Sequence, residues 1–257
     1  MNYGLQISSS GVLTSLYRQD VLSNNLANMS TVGYKPDIPT TMQRAPVRTE
    51  DNLGYLPSND LIERLGAGVL AAPNRVSFAQ GALEMTDRPL DLAIEGDGFF
   101  VVQGAGDGGE GSSLRLTRDG RFSIDSSGQV VMASTGLPLL STQNQPIVPP
   151  GEGVIGIAGD GTMSQNGEVF AQVQVADVPD RSVLKKEGAG LFNPGRAGVS
   201  PINGRVHQGA VEGAAVNEIA AMMQVTSASK AAQTNIGMIT YHDRLMDRAI
   251  NTFGRTS

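Results

Sequence analysis

The sequence predicts a mixed α and β fold: paired N- and C-terminal helices, coiled-coil-like, flanking a central antiparallel all-β domain. Three observations predict it. First, all 13 prolines fall between Pro36 and Pro201, so both ends tolerate helix and the middle does not. Second, the C-terminal end carries an apolar seam in alternating steps of three and four, through Met222, Val225, Ser229, Ala232, Ile236, Ile239, Asp243, Met246, Ile250 and Phe253. Eight of these ten are apolar, the signature of a helix that packs on other helices along its length. Third, Asp-Gly and Asn-Gly pairs separate short apolar runs in the middle, the mark of antiparallel hairpins.

Residues 1–35 read as the N-terminal helix and its exit. Within 3–28, Leu5, Val12, Leu16, Leu22 and Leu26 recur at helical spacing, and only Arg18 and Asp20 are charged before Lys35. A helix with so little charge is poorly solvated and needs a cover. It should end near Asn28, where Gly33 can take a positive φ for the exit and Lys35-Pro36 forces extended chain. Residues 36–80, with Pro36, Pro39, Pro46, Pro57 and Pro73, read as an irregular, extended arm.

Residues 81–205 read as the central β domain. Strands are expected at 90–94 and 99–103 around Gly96-Asp97-Gly98, and at 114–117 and 121–124 as a hairpin about Asp119-Gly120. A further strand at 129–133 follows the Ser127-Gly128 turn, Asp160-Gly161 and Asn166-Gly167 mark two more hairpins, and 169–178 is the longest alternating run. Residues 104–113 and 188–204 read as loops, and residues 206–257 as the terminal helix with its lead-in.

Composition removes several function classes. The net charge is −6 with the charges dispersed, so the basic patch of a nucleic-acid binder is missing. No apolar run approaches membrane-spanning length, so direct membrane insertion is not expected. Without cysteine there are no disulfides or thiolate metal sites. The first 17 residues hold no Lys or Arg, so no cleaved secretory signal is expected. His207 and His242 are the only histidines and lack partners at ligand spacing; His242 falls off the seam and reads as a surface residue. Asp87, Asp91, Glu95 and Asp97 lack calcium-loop spacing and read as turn and strand-edge residues. The Gly-rich run 104–109 lacks the Lys of a phosphate loop. No catalytic, cofactor-binding or metal residue is assigned, and an enzyme is not expected.

Several stretches resemble one family. Residues 23–35, Ser-Asn-Asn-Leu-Ala-Asn-Met-Ser-Thr-Val-Gly-Tyr-Lys, resemble the N-terminal signature of bacterial flagellar rod and hook proteins, through Asn24, Asn25, Leu26, Ala27, Asn28 and Gly33. Residues 90–102 resemble that family's central motif, through Gly96, Gly98, Phe99 and Phe100. Thr117-Arg118-Asp119-Gly120-Arg121-Phe122, with Asp125, Gly128 and Leu139-Leu140, resembles the hairpin that follows it, and Val211-Glu212-Gly213 with Val216-Asn217 the lead into the terminal helix. The resemblance spans nearly the whole chain in order. It departs at Ser229, where the family usually carries an aromatic.

The resemblance implies a structural subunit of the flagellar basal-body rod, of distal-rod type given the long arm. Its terminal helices would pair and pack with neighbouring copies into a helical tube that transmits torque from motor to hook. The β domain would form an outer layer. Partners would be further copies, other rod and hook subunits and the flagellar export apparatus. The location would be the periplasm-spanning rod, reached by export without a cleaved signal. The assembly interface is assigned to Leu5, Val12, Leu16, Leu22 and Leu26, and to Met222, Val225, Ala232, Ile236, Ile239, Met246, Ile250 and Phe253. No partner for the C-terminal helix is visible inside a β domain, so both ends are expected to order only on assembly. Alternatives are a proximal-rod or hook-type subunit, a secreted β-domain binding module with a coiled-coil stalk, or an enzyme on a β scaffold. A stalk would put heptads at one end only, whereas helical ends flank this β region on both sides.

Overall fold

The computed structural model describes residues 3–59, 65–104, 113–151, 153–195, 197–202 and 204–253. The chain falls into two compact units, one of residues 1–27, 37–77 and 217–257, the other of residues 28–36 and 78–216.

In the first unit, a proline-free and nearly uncharged start forms α1 (Tyr3–Ala27). Residues 37–77 add β1 (Asp37–Gln43), the short α2 (Val47–Glu50) and β2 (Val69–Val76), with β1 and β2 antiparallel and α1 packed on both. The last element is α3 (Glu218–Phe253). Its first turn is capped: the Ala220 N–H donates to Asn217 Oδ1 at 2.9 Å, and Glu218 sits at the positive end of the helix dipole.

The two long helices pack antiparallel. Gly4 faces His242 and Gly11 faces Asn235, so the contact repeats after two turns of each helix. A Cβ on Gly11 would stand 2.9 Å from the end of the Asn235 side chain, which would have to turn aside to admit it. The inner face of α3 is built from small residues: Ala221, Ala228 and Ala232 are buried, with Val225, Asn235, Ile239 and His242 half-buried. On α1, Ser10 Oγ donates to Ile7 O at 2.8 Å and Thr14 Oγ1 to Ser10 O at 2.9 Å, so these buried hydroxyls are satisfied by the helix itself.

In the second unit, a six-stranded antiparallel sheet runs β13 (Lys185–Gly188), β14 (Leu191–Asn193), β6 (Ser113–Thr117), β5 (Phe99–Gly104), β12 (Val175–Asp177) and β15 (Ser200–Pro201). A three-stranded sheet orders β11 (Glu168–Gln172), β10 (Thr162–Gln165) and β9 (Ile155–Ile157). Three pairs complete it: β4 (Leu92–Glu95) with β16 (Arg205–Gln208), β3 (Leu83–Met85) with β17 (Ala210–Glu212), and β7 (Phe122–Ile124) with β8 (Val130–Met132). The uninterrupted apolar run 99–102 is buried on both faces and makes β5 an interior strand. Phe100 meets Phe122 edge-on at 5.4 Å in a core with Met132, Leu139, Met163, Val173 and Val206.

The structure bears out three of the expected turns. Ser127-Gly128 joins β7 to β8, Asp160-Gly161 joins β9 to β10, and Asn166-Gly167 joins β10 to β11 with φ values of 54° and 90°.

Four expectations are corrected. Asp119-Gly120 is not a hairpin turn, because β6 pairs with β5 and β14 while β7 pairs with β8. It is a buried corner, where the Leu92 N–H donates to Gly120 O at 2.8 Å and a Cβ on Gly120 would collide with Leu92 O. The run 169–178 is two strands in two sheets, β11 and β12, broken where the Val173 N–H turns to Gly161 O. Residues 36–80 are not irregular throughout. Pro39 and Pro73 misled because both sit at the bulge where pairing jumps from Ile38–Arg75 to Thr40–Ala72, and neither has to donate to the ladder. The 206–212 lead-in and part of the 188–204 loop are strands, β14 to β17. The expected loop over 105–112 and the side chain of Phe253 lie outside the described residues.

Candidate functional site

The surface that the sequence assigns to assembly divides on α3. Val225, Ala232 and Ile239 share the inner face towards α1. Met222, Ile236, Met246 and Ile250 are exposed, Ile250 to 69%. The structure therefore gives α3 a partner within its own chain, α1, which corrects the expectation that it has none. A single seam was read where two faces exist. On α1, Leu22 is buried, Leu5, Val12 and Leu26 are half-buried, and Leu16 is exposed. Sequence reasoning missed Leu13, Met223, Met238, Tyr241 and Leu245, all exposed apolar residues on these helices. The spacing of Met238, Tyr241 and Leu245 by three and four was the available signal.

The motif residues have a different role. Asn25 is buried near the end of α1 and clamps Asp37, donating to its carbonyl at 2.7 Å and accepting its N–H at 2.9 Å. Asn24 and Ala27 are exposed on the same helix, and Asn28 accepts the Thr31 N–H at 3.0 Å in the turn that follows. Gly33 has φ 66°, and a Cβ there would strike the backbone of Arg118.

In the β unit, the other motifs converge on Glu212. Its carboxylate, 1% exposed, accepts from Lys35 Nζ at 2.5 Å, Arg118 Nη1 at 2.8 Å and the Gly81 N–H at 2.8 Å. Its carbonyl accepts the Gly33 N–H at 2.7 Å, and the Ala215 N–H donates to Tyr34 O at 3.1 Å. Arg118 also donates to the Gly96 carbonyl at 2.6 Å and to that of Gly98, and its guanidinium lies 5.4 Å from the Phe99 ring centre. Burial pushes the Lys35 amine below its ordinary pKa, and the hydrogen bond to Glu212 opposes that shift. Segments 33–35 and 211–215 are thereby held side by side on the β unit. Neither Lys35, Arg118 nor Glu212 was singled out from the sequence, although each sits inside a quoted motif.

His242 is half-buried over Gly4, not on the open surface, because glycine leaves room for the ring. His207 Nε2 meets Glu95 Oε2 at 2.7 Å, and this contact holds the Glu95 carboxyl below its usual range. Among the described residues, Asp91 is buried and no group of His, Asp or Glu is arranged to hold a metal ion. Among them too, no helix is long and apolar enough to cross a membrane.

Two family models match the chain: flagella basal body rod protein over residues 5–35, and flagellar hook protein FlgE/F/G D1 domain over residues 93–171. The flagellar basal-body rod protein FlgG of Buchnera aphidicola subsp. Schizaphis graminum is 30% identical over 95% of this chain and 97% of its own. FlgF of Caulobacter vibrioides is 28% identical over 99% of both chains, and FlgF of Escherichia coli 29% over 97% of both. The hook-basal body complex protein FlhO of Bacillus subtilis is 29% identical over 98% of both.

Proposed function

Because this chain belongs to the flagellar basal-body rod protein family, we propose that α1 and α3 are its tube-building elements. The protein is a structural subunit of the flagellar basal-body rod and acts in motility. One observation supports this role of the helices most strongly. The helix pair buries mainly small residues between its two members, and leaves Leu13, Leu16, Met222, Ile236 and Ile250 on the outside. Large apolar side chains left outside in this number mark an interface. The seven-residue step of the helix contact supports a coiled-coil-like pairing that neighbouring copies extend. In the assembled rod, these faces would meet other copies and the adjoining rod and hook subunits. Torque would pass through the packed helices. The length of the 37–77 segment supports the distal type. Export through the flagellar apparatus would deliver the subunit to the periplasm-spanning rod.

Electron microscopy of concentrated protein tests the reading. Tubes or filaments are expected from the wild-type chain, and discrete particles at every concentration would sink it. Ile239→Ala combined with Ile250→Ala is expected to abolish filaments and swimming while the β unit melts unchanged.

A further inference from the structure

We infer that the last turns of α3 from one copy dock into the groove between α1 and β2 of a second copy, a contact that rests on the assembly reading above and specifies it. The helix register leaves α3 overhanging. His242 lies opposite Gly4, and only Tyr3 of α1 precedes Gly4, whereas α3 continues to Phe253, roughly 16 Å further at 1.5 Å per residue. This overhang is amphipathic. Leu245, Met246, Ala249 and Ile250 fall on one face and are all exposed, bordered by Asp243 and Asp247 on one side and by Arg244 and Arg248 on the other.

The receiving groove has a volume of about 780 Å³ and is walled by Leu5, Ser9, Leu13, Val69 and Leu70, with Arg44 beside them. It opens on the side of α1 turned away from α3. Ser9 lies five residues after Gly4 and two before Gly11, which at about 100° per residue puts it roughly 150° from the α3-facing line. The α3 of the same chain therefore does not reach it, and the overhang of a second copy can. The groove spans Leu5 to Thr14, about 13 Å of helix, which accommodates two to three turns of a partner helix. Arg44 is already paired with Glu50 through Nη2, but its Nε is buried and has no acceptor among the described residues. A buried donor of this kind is costly until an acceptor arrives, and the Asp247 carboxylate beside the apolar face of the overhang supplies one. Ile250 and Leu245 then fill the apolar walls, in the manner of a helix laid in a groove. Overhang and groove are different surfaces of one molecule, so the contact is head-to-tail, the type that builds an open helical filament when its rotation does not close a ring.

The chain has no cysteine, so introduced thiols report on this contact alone. A copy carrying Ser9→Cys is mixed with a mass-tagged copy carrying Ala249→Cys and mildly oxidised, with Met223→Cys as the control at the other end of α3. A mixed disulfide dimer from Ser9→Cys with Ala249→Cys is expected, and none from the control pair. Arg44→Glu in the first copy should remove the cross-link, and Asp247→Arg in the second should restore it. If filaments form and this pair does not link, or links no better than the control, the docking is overturned while the assembly reading stands. If neither filaments nor cross-links form at any concentration, both fall.

Discussion

The β unit and the helical unit treat apolar side chains in opposite ways. The β unit buries Phe99, Phe100, Phe192, Leu116, Met132 and Met163 almost completely. Among the described residues of the helical unit, the buried apolar set is Leu22, Val47 and the alanines Ala67, Ala221, Ala228 and Ala232. Burying a large aliphatic or aromatic side chain stabilises by about 1.5–3 kcal/mol, and an alanine contributes far less. The difference teaches that the β unit carries its own stability. The helical unit keeps small residues inside and large apolar residues outside, which supports the proposal that it is half of an interface.

The largest effect that would sharpen this contrast is at Glu212. Glu212→Ala leaves Lys35 and Arg118 buried without their carboxylate, and removing one partner of a buried pair costs about 3–5 kcal/mol. Denaturant unfolding read by the β signal should show that loss; a change within measurement error would mean that the cluster does not hold the unit. Phe100→Ala should cost the β unit about 3–5 kcal/mol. Ile250→Ala should move monomer stability by no more than about 0.5 kcal/mol, since its side chain is already in water. Equal losses from these two variants would erase the distinction between the units.

Gly11→Leu probes the inner helix contact. Its side chain has no room beside Asn235, and overpacking costs about 1–3 kcal/mol. The helical circular dichroism should fall while the β unit melts normally. The smallest effect concerns acid. Asp125 is held below the ordinary carboxylate range by the Ser127 hydroxyl and the Gln129 N–H, and Asp160 by the Thr162 N–H and hydroxyl. A depressed folded pKa means that the unfolded chain takes up the proton first. The contribution is therefore present above the unfolded value of 3.8 and lost as pH falls through the folded values. Thermal melts between pH 7 and pH 3 should show the β unit weakening only at the acid end, with a shallower fall in Asp125→Asn.

Helices and turns were legible in the sequence where a local pattern sets local structure. The proline distribution located α1 and α3, and Asn166-Gly167 and Ser127-Gly128 marked real hairpins. Pairing partners were not legible, because they depend on residues far along the chain. Asp119-Gly120 has the composition of a hairpin turn, yet Leu92 occupies the space beside it and makes it a corner. The heptad seam of α3 was visible, but not its division between α1 and the outside. That division follows the small residues of both helices, Gly4 and Gly11 on α1 and Ala221, Ala228 and Ala232 on α3, which let these faces approach. Glu212 was hidden for a related reason: its partners lie 177 and 94 residues away along the chain.

Hydrogen exchange on the monomer and on the assembled rod tests the central claim most directly. In the monomer, β5 should exchange slowly and 222–253 of α3 quickly, because an inner face of alanines gives one helix little to hold it. On assembly, α3 should become as protected as β5, with the β unit unchanged. Protection of α3 equal to that of β5 in a verified monomer would contradict the account, since the helical unit would then be complete without its neighbours.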